Sequence, residues 1–331
     1  MPGMPSAPEQ SGGNRPAQQW GERWALQWRD LSTRSADWDD ACRSGGNPFH
    51  CRAYLTAHCG RGERPVGIVE SESGHPIIGG VLSRNPDAFR SYSFTAPHGA
   101  TESGLMIAEW LRREDCPRFR LGSFMQGLEG QEVPPGVAIA QRVEFEHDLG
   151  RPEEQWWADL HSQHRRKLRR SAKQGFILKK IPDSHASVMA RLALSWSRRR
   201  GLNRSWIDLL RAWRANRKLL LPLSREGLGV LYGLYRRDGA LLSAAYMLET
   251  HATAFYMLGA STEAGYRAGA SFELFWQLCR HYREGGLARL NLGGVPKAAD
   301  HKSHPEHGVY RFKRGFGIEP SPRMTWIADG G

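Results

Sequence analysis

The chain has 331 residues, 40% of them hydrophobic and 12 of them Trp, enough for a packed core and for one large or two medium domains. Its formal charge of +12 is concentrated: 17 of the 46 Lys and Arg lie between Arg165 and Lys218, where the acids are only Asp183 and Asp208, so the excess reads as a patch for a polyanion. Five cysteines (Cys42, Cys51, Cys59, Cys116, Cys279) without a C-x-x-C pair argue against a disulfide framework or structural zinc, and no stretch approaches the roughly 18 apolar residues of a membrane span, so a soluble cytoplasmic protein is expected.

Residues 1–19, rich in Pro, Gly, Ser and Gln, read as a disordered tail. Trp24, Trp28 and Leu31 have helical spacing within Trp20–Cys42; Asn47-Pro48-Phe49 breaks it, and Arg52–His58 reads as a short helix. Pro65–Glu70 and Pro76–Ser83 predict a hairpin turning at Ser73-Gly74, and Ser91–Thr95 a strand ending in Pro97-His98-Gly99-Ala100. Thr101–Arg113 reads as a helix, and Arg118–Phe124 and Val137–Phe145 as strands.

From Pro152 to Gly175 one long helix is predicted, with Pro152 at its first position, Glu153 and Glu154 on its first turn and Gly175 as its stop. Trp157, Leu160, His164, Leu168 and Ala172 share a core-facing stripe; Arg166, Arg169, Arg170 and Lys173 share the opposite one. Eight bases and no acid stand between Arg165 and Lys180, whereas a merely solvated face mixes signs. Phosphates are the natural partner, and Arg198, Arg199, Arg200 and Arg204 extend the track. Phe176–Ile181 reads as a strand, and Ala186–Arg200 and Trp206–Lys218 as helices.

Leu228–Arg236, Ala240–Glu249 and Ala252–Gly259 then predict three successive strands, with a hairpin turn at Asp238-Gly239. Ala268–Arg283 reads as a helix burying Phe272, Phe275, Trp276 and Cys279. Ala288–Leu292 is a strand ending in Gly293-Gly294, and Met324–Ile327 a strand returning to the first half. Glu249 and His251 read as solvated turn residues; His98, His301, His304 and His307 lack metal-ligand spacing.

This order resembles the Gcn5-related (GNAT) acyltransferase fold. It predicts an α+β chain of two GNAT-like domains, each a mixed, mostly antiparallel sheet flanked by helices. Their expected limits are 20–149, with 318–331 as the returning strand, and 150–317.

A more specific likeness rests on Asp148-Leu149, Trp156, Arg165 to Arg170, Ala172 with Gly175, Leu292-Gly293-Gly294, Phe312-Lys313 and Phe316-Gly317. In order and spacing these resemble the FemABX family of aminoacyl-tRNA-dependent peptidyltransferases; Asn47-Pro48-Phe49 and the Pro97–Gly99 turn resemble its first domain. Asn291 stands where that family usually has Asp, and the coiled-coil arm of some members is not seen.

The resemblance implies transfer of an aminoacyl group from tRNA to an amine, on a peptidoglycan precursor or a small secondary metabolite. Aminoacyl-tRNA is the co-substrate, and the activated ester demands no cofactor and no metal. Lys313 then stabilises the oxyanion or holds the tRNA 3′ phosphate. Phe312 stacks on the terminal adenosine or is a core aromatic, and Tyr256 relays a proton or is a packed strand tyrosine. Arg165, Arg166, Arg169, Arg170 and Lys173 grip the tRNA. The alternative is an acyl-CoA-dependent N-acyltransferase, whose Q/R-x-x-G-x-G/A pyrophosphate turn falls at Gly265–Ser271; Arg267, the candidate phosphate ligand there, stands two rather than three positions before Gly269.

Overall fold

Strand pairing organises the molecule. The structure is a computed structural model that describes residues 25–33, 35–84, 87–94, 103–123, 127–182, 187–192 and 206–329. The expected 1–19 tail, Trp24, the Pro97–Gly99 turn with His98, and Arg198–Arg204 lie outside these residues. The described strands are β1 (Leu26–Asp30), β2 (Glu63–Glu70), β3 (Pro76–Arg84), β4 (Asp87–Phe94), β5 (Arg118–Ser123), β6 (Ala138–Asp148), β7 (Ile177–Lys180), β8 (Gly229–Tyr235), β9 (Leu241–Glu249), β10 (Thr253–Ser261), β11 (Arg289–Pro296) and β12 (Ser321–Ala328). They form one sheet ordered β1-β2-β3-β4-β5-β12-β6-β11-β10-β9-β8-β7.

The same motif occurs twice: an antiparallel hairpin, a third strand, a crossover, then a parallel strand. The first copy is β2-β3-β4 with β5, the second β8-β9-β10 with β11. The strand after each copy crosses over: β6 joins β11, β12 joins β5, and β6 pairs with β12 between them. The C-terminal strand therefore returns to the first half as expected, and seven register pairs (Ser321–Ile327 with Glu144–Ala138) join the halves into one α+β sheet.

Helices cover both faces. Helix α3 (Ser103–Arg113) buries Ile107 and Leu111 against Phe119, Leu121 and Trp326 of the first half. Helices α1 (Ala36–Ser44) and α2 (Arg52–His58) supply Trp38 and Leu55 to a second core, shared with Leu220 and Leu223 of α6 (Trp206–Arg225) and with Leu231, Tyr246 and Phe255 of the sheet. On the opposite face of the second half lie α4 (Glu153–Asp159), α5 (Ser162–Ala172), α8 (Ala270–Glu284) and α9 (His307–Arg314). Strands β8 and β9 are consequently buried on both sides, which suits their unbroken apolar composition.

Four expectations need correction. Trp28 lies on β1, not on a helix: pairing of Leu26–Asp30 with β2 extends the backbone, and Trp28 packs on Phe89 and Trp110. The long helix is two, because Leu160 and His161 are extended (ψ 135° and 144°); the His161 side chain accepts from the Gln163 amide, while its own N–H goes to Gly315 O. Pro152 consequently caps α4 rather than opening it. The helix read over Ala268–Arg283 is α8, but the turn expected before it at Gly265–Ser271 is partly taken up by a further short helix, α7 (Glu263–Ala268), capped by Thr262, with Gly269 left-handed between the two at φ +75°. Glu249 is not a free turn residue, since its Oε1 accepts from the hydroxyls of Tyr232 (2.9 Å) and Tyr282 (2.8 Å).

Candidate functional site

The two parallel pairs differ. In the first half β4 and β5 stay in register from Ala88/Arg118 to Ser91/Leu121 and pair again at Phe94/Ser123. In the second half β10 and β11 pair only over Thr253–Phe255 and Arg289–Asn291. Past Phe255 strand β10 continues against β9 and β11 against β6, so the sheet opens between them; each strand has a register shift there, between Tyr256 and Leu258 and between Asn291 and Gly294. Phe49, from the Asn47-Pro48-Phe49 turn, closes the base of the opening with its ring 4.7 Å from that of Phe255.

Gly293 sits at the opening with φ +75°, a backbone that L side chains rarely adopt. A Cβ there would lie 3.2 Å from Tyr256 O, 3.6 Å from Lys313 Nζ and 3.7 Å from the Phe255 ring, so these three groups converge on it. Asn291 fixes the bulge: its Oδ1 accepts from the Gly293 amide at 2.7 Å, and its Nδ2 donates to Glu144 at 3.0 Å. The carboxylate missing at position 291 is thus supplied by the neighbouring strand, from a side chain wholly buried and bridged to Arg142 and Arg323.

Lys313 is 5% exposed, and its Nζ donates to Gly294 O at 3.3 Å. No carboxylate forms an ion pair with it among the described residues. Burial, and then the nearby Arg142, hold its pKa down at about 8.

The helix bearing Lys313 is docked to the basic helix. His164 of α5 is buried, with Nε2 2.9 Å from Phe312 O, so the Nε2–H tautomer donates there. Its ring fills the space left by Gly315, where a Cβ would lie 1.9 Å from His164 Cε1. The rings of Phe272, Phe312 and Phe316 surround it at 4.7, 6.0 and 5.0 Å. Buried Glu273, on α8, accepts from Ser171 Oγ at 2.6 Å and holds the far end of α5.

The predicted site residues separate into three groups. Arg166, Arg169, Arg170 and Lys173 are exposed and form no ion pair among the described residues, with Arg169 lying 5.7 Å over the Trp157 ring. Arg165 instead folds back to donate to Ala158 O at 2.8 Å, bracing the break between α4 and α5. Arg267 is exposed on α7 and paired with Glu263. In that segment the amides of Gly265, Tyr266 and Gly269 already donate to Thr262 Oγ1, Thr262 O and Tyr266 O, so they form no open cradle. Phe312 is half-buried within the aromatic cluster, 5.0 Å from Phe272 and 5.4 Å from Phe275. Tyr256 packs on Phe275 at 4.8 Å with its hydroxyl beside Gly259, and burial pushes its phenol up; its carbonyl, rather than its side chain, is what meets the Gly293 site. Reading the sequence missed Arg142 and Glu144, whose only local signal is the alternation of charge on β6.

The parallel pair that splays open, β10 and β11, lies in the part of the chain that matches a known family. Residues 158–314 match the acetyltransferase (GNAT) domain family. That is just under half of the chain. None of the curated proteins matches this sequence. Among solved structures the chain is similar to FemX, at 12% identity with a TM-score of 0.70, over 91% of this chain and 97% of that one. It is also similar to the C-terminal domain of a putative lysylphosphatidylglycerol synthetase from Agrobacterium fabrum (15% identity, TM-score 0.50, 88% and 92%). The L-PGS of Bacillus licheniformis is similar as well (11%, TM-score 0.51, 82% and 85%). These likenesses show a GNAT-like fold. No described helix is long and apolar enough to cross a membrane, and no described His, Cys, Asp or Glu cluster could hold a metal ion.

Proposed function

We propose that this chain is a GNAT-type acyltransferase that moves an aminoacyl group from tRNA to an amine, in the cytoplasm where charged tRNA is found. The observation that carries the reading is Lys313, a buried ammonium with no carboxylate partner among the described residues, at the opening of the sheet and on a helix tied through His164 to an arginine face without ion pairs among those residues. A buried cation without an acid costs stability, and such sites are kept where negative charge must be met. Two GNAT-like units, 20–149 with 318–331 and 150–317, would share the crossed strands β6 and β12. The fold likeness to FemX and L-PGS accords with this reading, while the family matched over 158–314 is named for acetyl transfer.

In the reaction the uncharged amine attacks the ester carbonyl; the new C–N bond forms and the C–O bond to the terminal ribose breaks. The amine proton leaves with the ribose oxygen; Tyr256 meets the opening through its carbonyl, with its hydroxyl beside Gly259, and is not assigned the relay. Lys313 stabilises the oxyanion or the adjoining 3′ phosphate. Phe312 offers its outer edge to the terminal adenosine, and Arg166, Arg169, Arg170 and Lys173 follow the phosphates, with Arg165 turned back to Ala158 O. Arg267, neutralised by Glu263, is the weakest member of the set. The bonded amides of Gly265, Tyr266 and Gly269 count against the acyl-CoA alternative.

Incubation with a mixed charged-tRNA pool and candidate amines should give a product whose mass includes one aminoacyl residue, and RNase pretreatment should abolish it. Product that persists after RNase, or turnover of acetyl-CoA, overturns the reading. Apparent tRNA affinity should fall with salt by about 0.7–0.9 log units per contact per decade, and replacing Arg166 and Arg169 by Ala should flatten the slope by about two contacts. An unchanged slope removes α5 from the binding surface.

A further inference from the structure

Arg142 has no role in the reaction so far. It projects from β6 opposite Pro296, at the wall of the opening, and its Nε would lie 3.1 Å from a Cβ on Gly294. Gly294 O is the atom that accepts from Lys313 Nζ. The two cations therefore flank one residue, and the dimensions of a single peptide unit place their nitrogens no more than about 10 Å apart.

The charges around Arg142 do not cancel. Glu144 is met by Arg142 and Arg323 and hydrogen-bonded by Asn291; Glu146 is met by Arg323 and Arg289. Among the described residues, Lys313 brings the cations of this cluster to four against these two paired carboxylates. Arg323 is 3% exposed and spends its guanidinium on Glu146, Glu144 and Pro322 O. The side chain of Arg142, by contrast, is 42% exposed, while its buried Nε has no hydrogen-bond partner. Arg142 thus gives one nitrogen to Glu144 while part of its side chain stays exposed beside Lys313. The planar fork of arginine suits a carboxylate.

We propose that Arg142 anchors a carboxylate of the amine acceptor, so that the acceptor is an amine with its acid group a few bonds away, of amino-acid dimensions, rather than a neutral or long-chain amine. This rests on the aminoacyl-transfer reading above. The Glu144–Asn291 pair positions Arg142 and the Gly293 bulge together, which ties the acceptor subsite to the opening of the sheet. After burial, Arg142 is the next cause lowering the Lys313 pKa, opposed by Glu306, and a bound carboxylate would relieve that repulsion. Acceptor binding and the charge of the catalytic lysine are thereby coupled.

The test compares matched acceptors, one with a free carboxylate and one with the same group as its carboxamide, using intact wild-type protein and charged tRNA. Wild-type protein should favour the acid at least about 30-fold in kcat/KM, the worth of a charge-assisted pair of about 2 kcal/mol. Arg142→Met should raise KM for the acid about tenfold or more while leaving KM for charged tRNA unchanged, and should erase the preference; Arg142→Lys should restore part of it. In wild type the alkaline limb should lie higher in kcat than in kcat/KM. Thermal melting of both variants guards against misfolding. Equal use of acid and amide by wild type, or a loss confined to the KM of charged tRNA, overturns the proposal and assigns Arg142 to nucleotide phosphate or to structure. If wild type makes no product from charged tRNA, the aminoacyl-transfer reading itself fails, a result distinct from either.

Discussion

Lys313→Ala should reduce transfer about 100- to 1000-fold, the range measured when one preorganised donor to an oxyanion is removed, with a smaller change in KM for the acceptor. Lys313→Arg should not rescue it, because a planar fork has no room at a site 5% exposed beside Gly293. The active form is the ammonium, so kcat/KM expressed per uncharged acceptor amine should be level below pH 8 and fall about tenfold per unit above it, following the Lys313 pKa of about 8. A rate that instead rises through pH 8 would make the neutral amine the working form and remove the oxyanion role. Stability should move the other way. Lys313→Met deletes a buried, unpaired charge, so the inactive variant should unfold with more difficulty than wild type, by about 1–3 kcal/mol. Loss of activity accompanied by loss of stability would mark Lys313 as a structural residue.

Gly315→Ala should destabilise the protein by about 3 kcal/mol or more, because a methyl group 1.9 Å from His164 Cε1 must displace the ring that docks α5 on α9. His164→Ala alone strands Phe312 O and empties a ring-sized site, and should cost about 3 kcal/mol. Together the two changes should cost less than their sum, since each removes the other's clash or cavity. Strict additivity in urea unfolding would show that the two residues do not meet.

The same histidine makes a pH prediction. Burial is the main cause holding its pKa below 6.5, opposed by its bond to Phe312 O and reinforced by Lys167, His161 and Arg311. Its Nδ1 is buried without a partner. The folded state therefore takes up the proton less readily than the unfolded chain. The stabilisation is complete above pH 6.5 and is lost as pH falls from there toward the folded pKa. His147, lowered to about 4 by burial, and His58 act with the same sign, so His164→Phe should shallow the acid slope rather than abolish it.

Much of this was legible in one dimension because it is locally caused. Arg52–His58, the hairpin at Asp238-Gly239 and the bases on α5 follow from spacing, turn chemistry and charge sign, which need no partner. The Phe312-Lys313 and Leu292-Gly293-Gly294 motifs marked the right segments, but not the fact that Gly293 brings Tyr256 O and Lys313 Nζ to one point. Glu249 looked like a turn residue since neither Tyr232 nor Tyr282 is near it in sequence. The break at Leu160-His161 depends on an acceptor, Gly315 O, more than 150 residues away, so no helical periodicity could show it.

The amino-acid sequence by itself determined the two runs of strands and helices, the basic face and the glycines at the bulge, because propensity, charge and backbone freedom belong to residues. Only the tertiary structure decided that β6 and β12 exchange neighbours, that the sheet opens between β10 and β11 but not between β4 and β5, and that Glu144 supplies the carboxylate absent at Asn291. Pairing across a sheet and the desolvation of a charge depend on what lies on the adjacent strand. That neighbour is chosen by the whole fold.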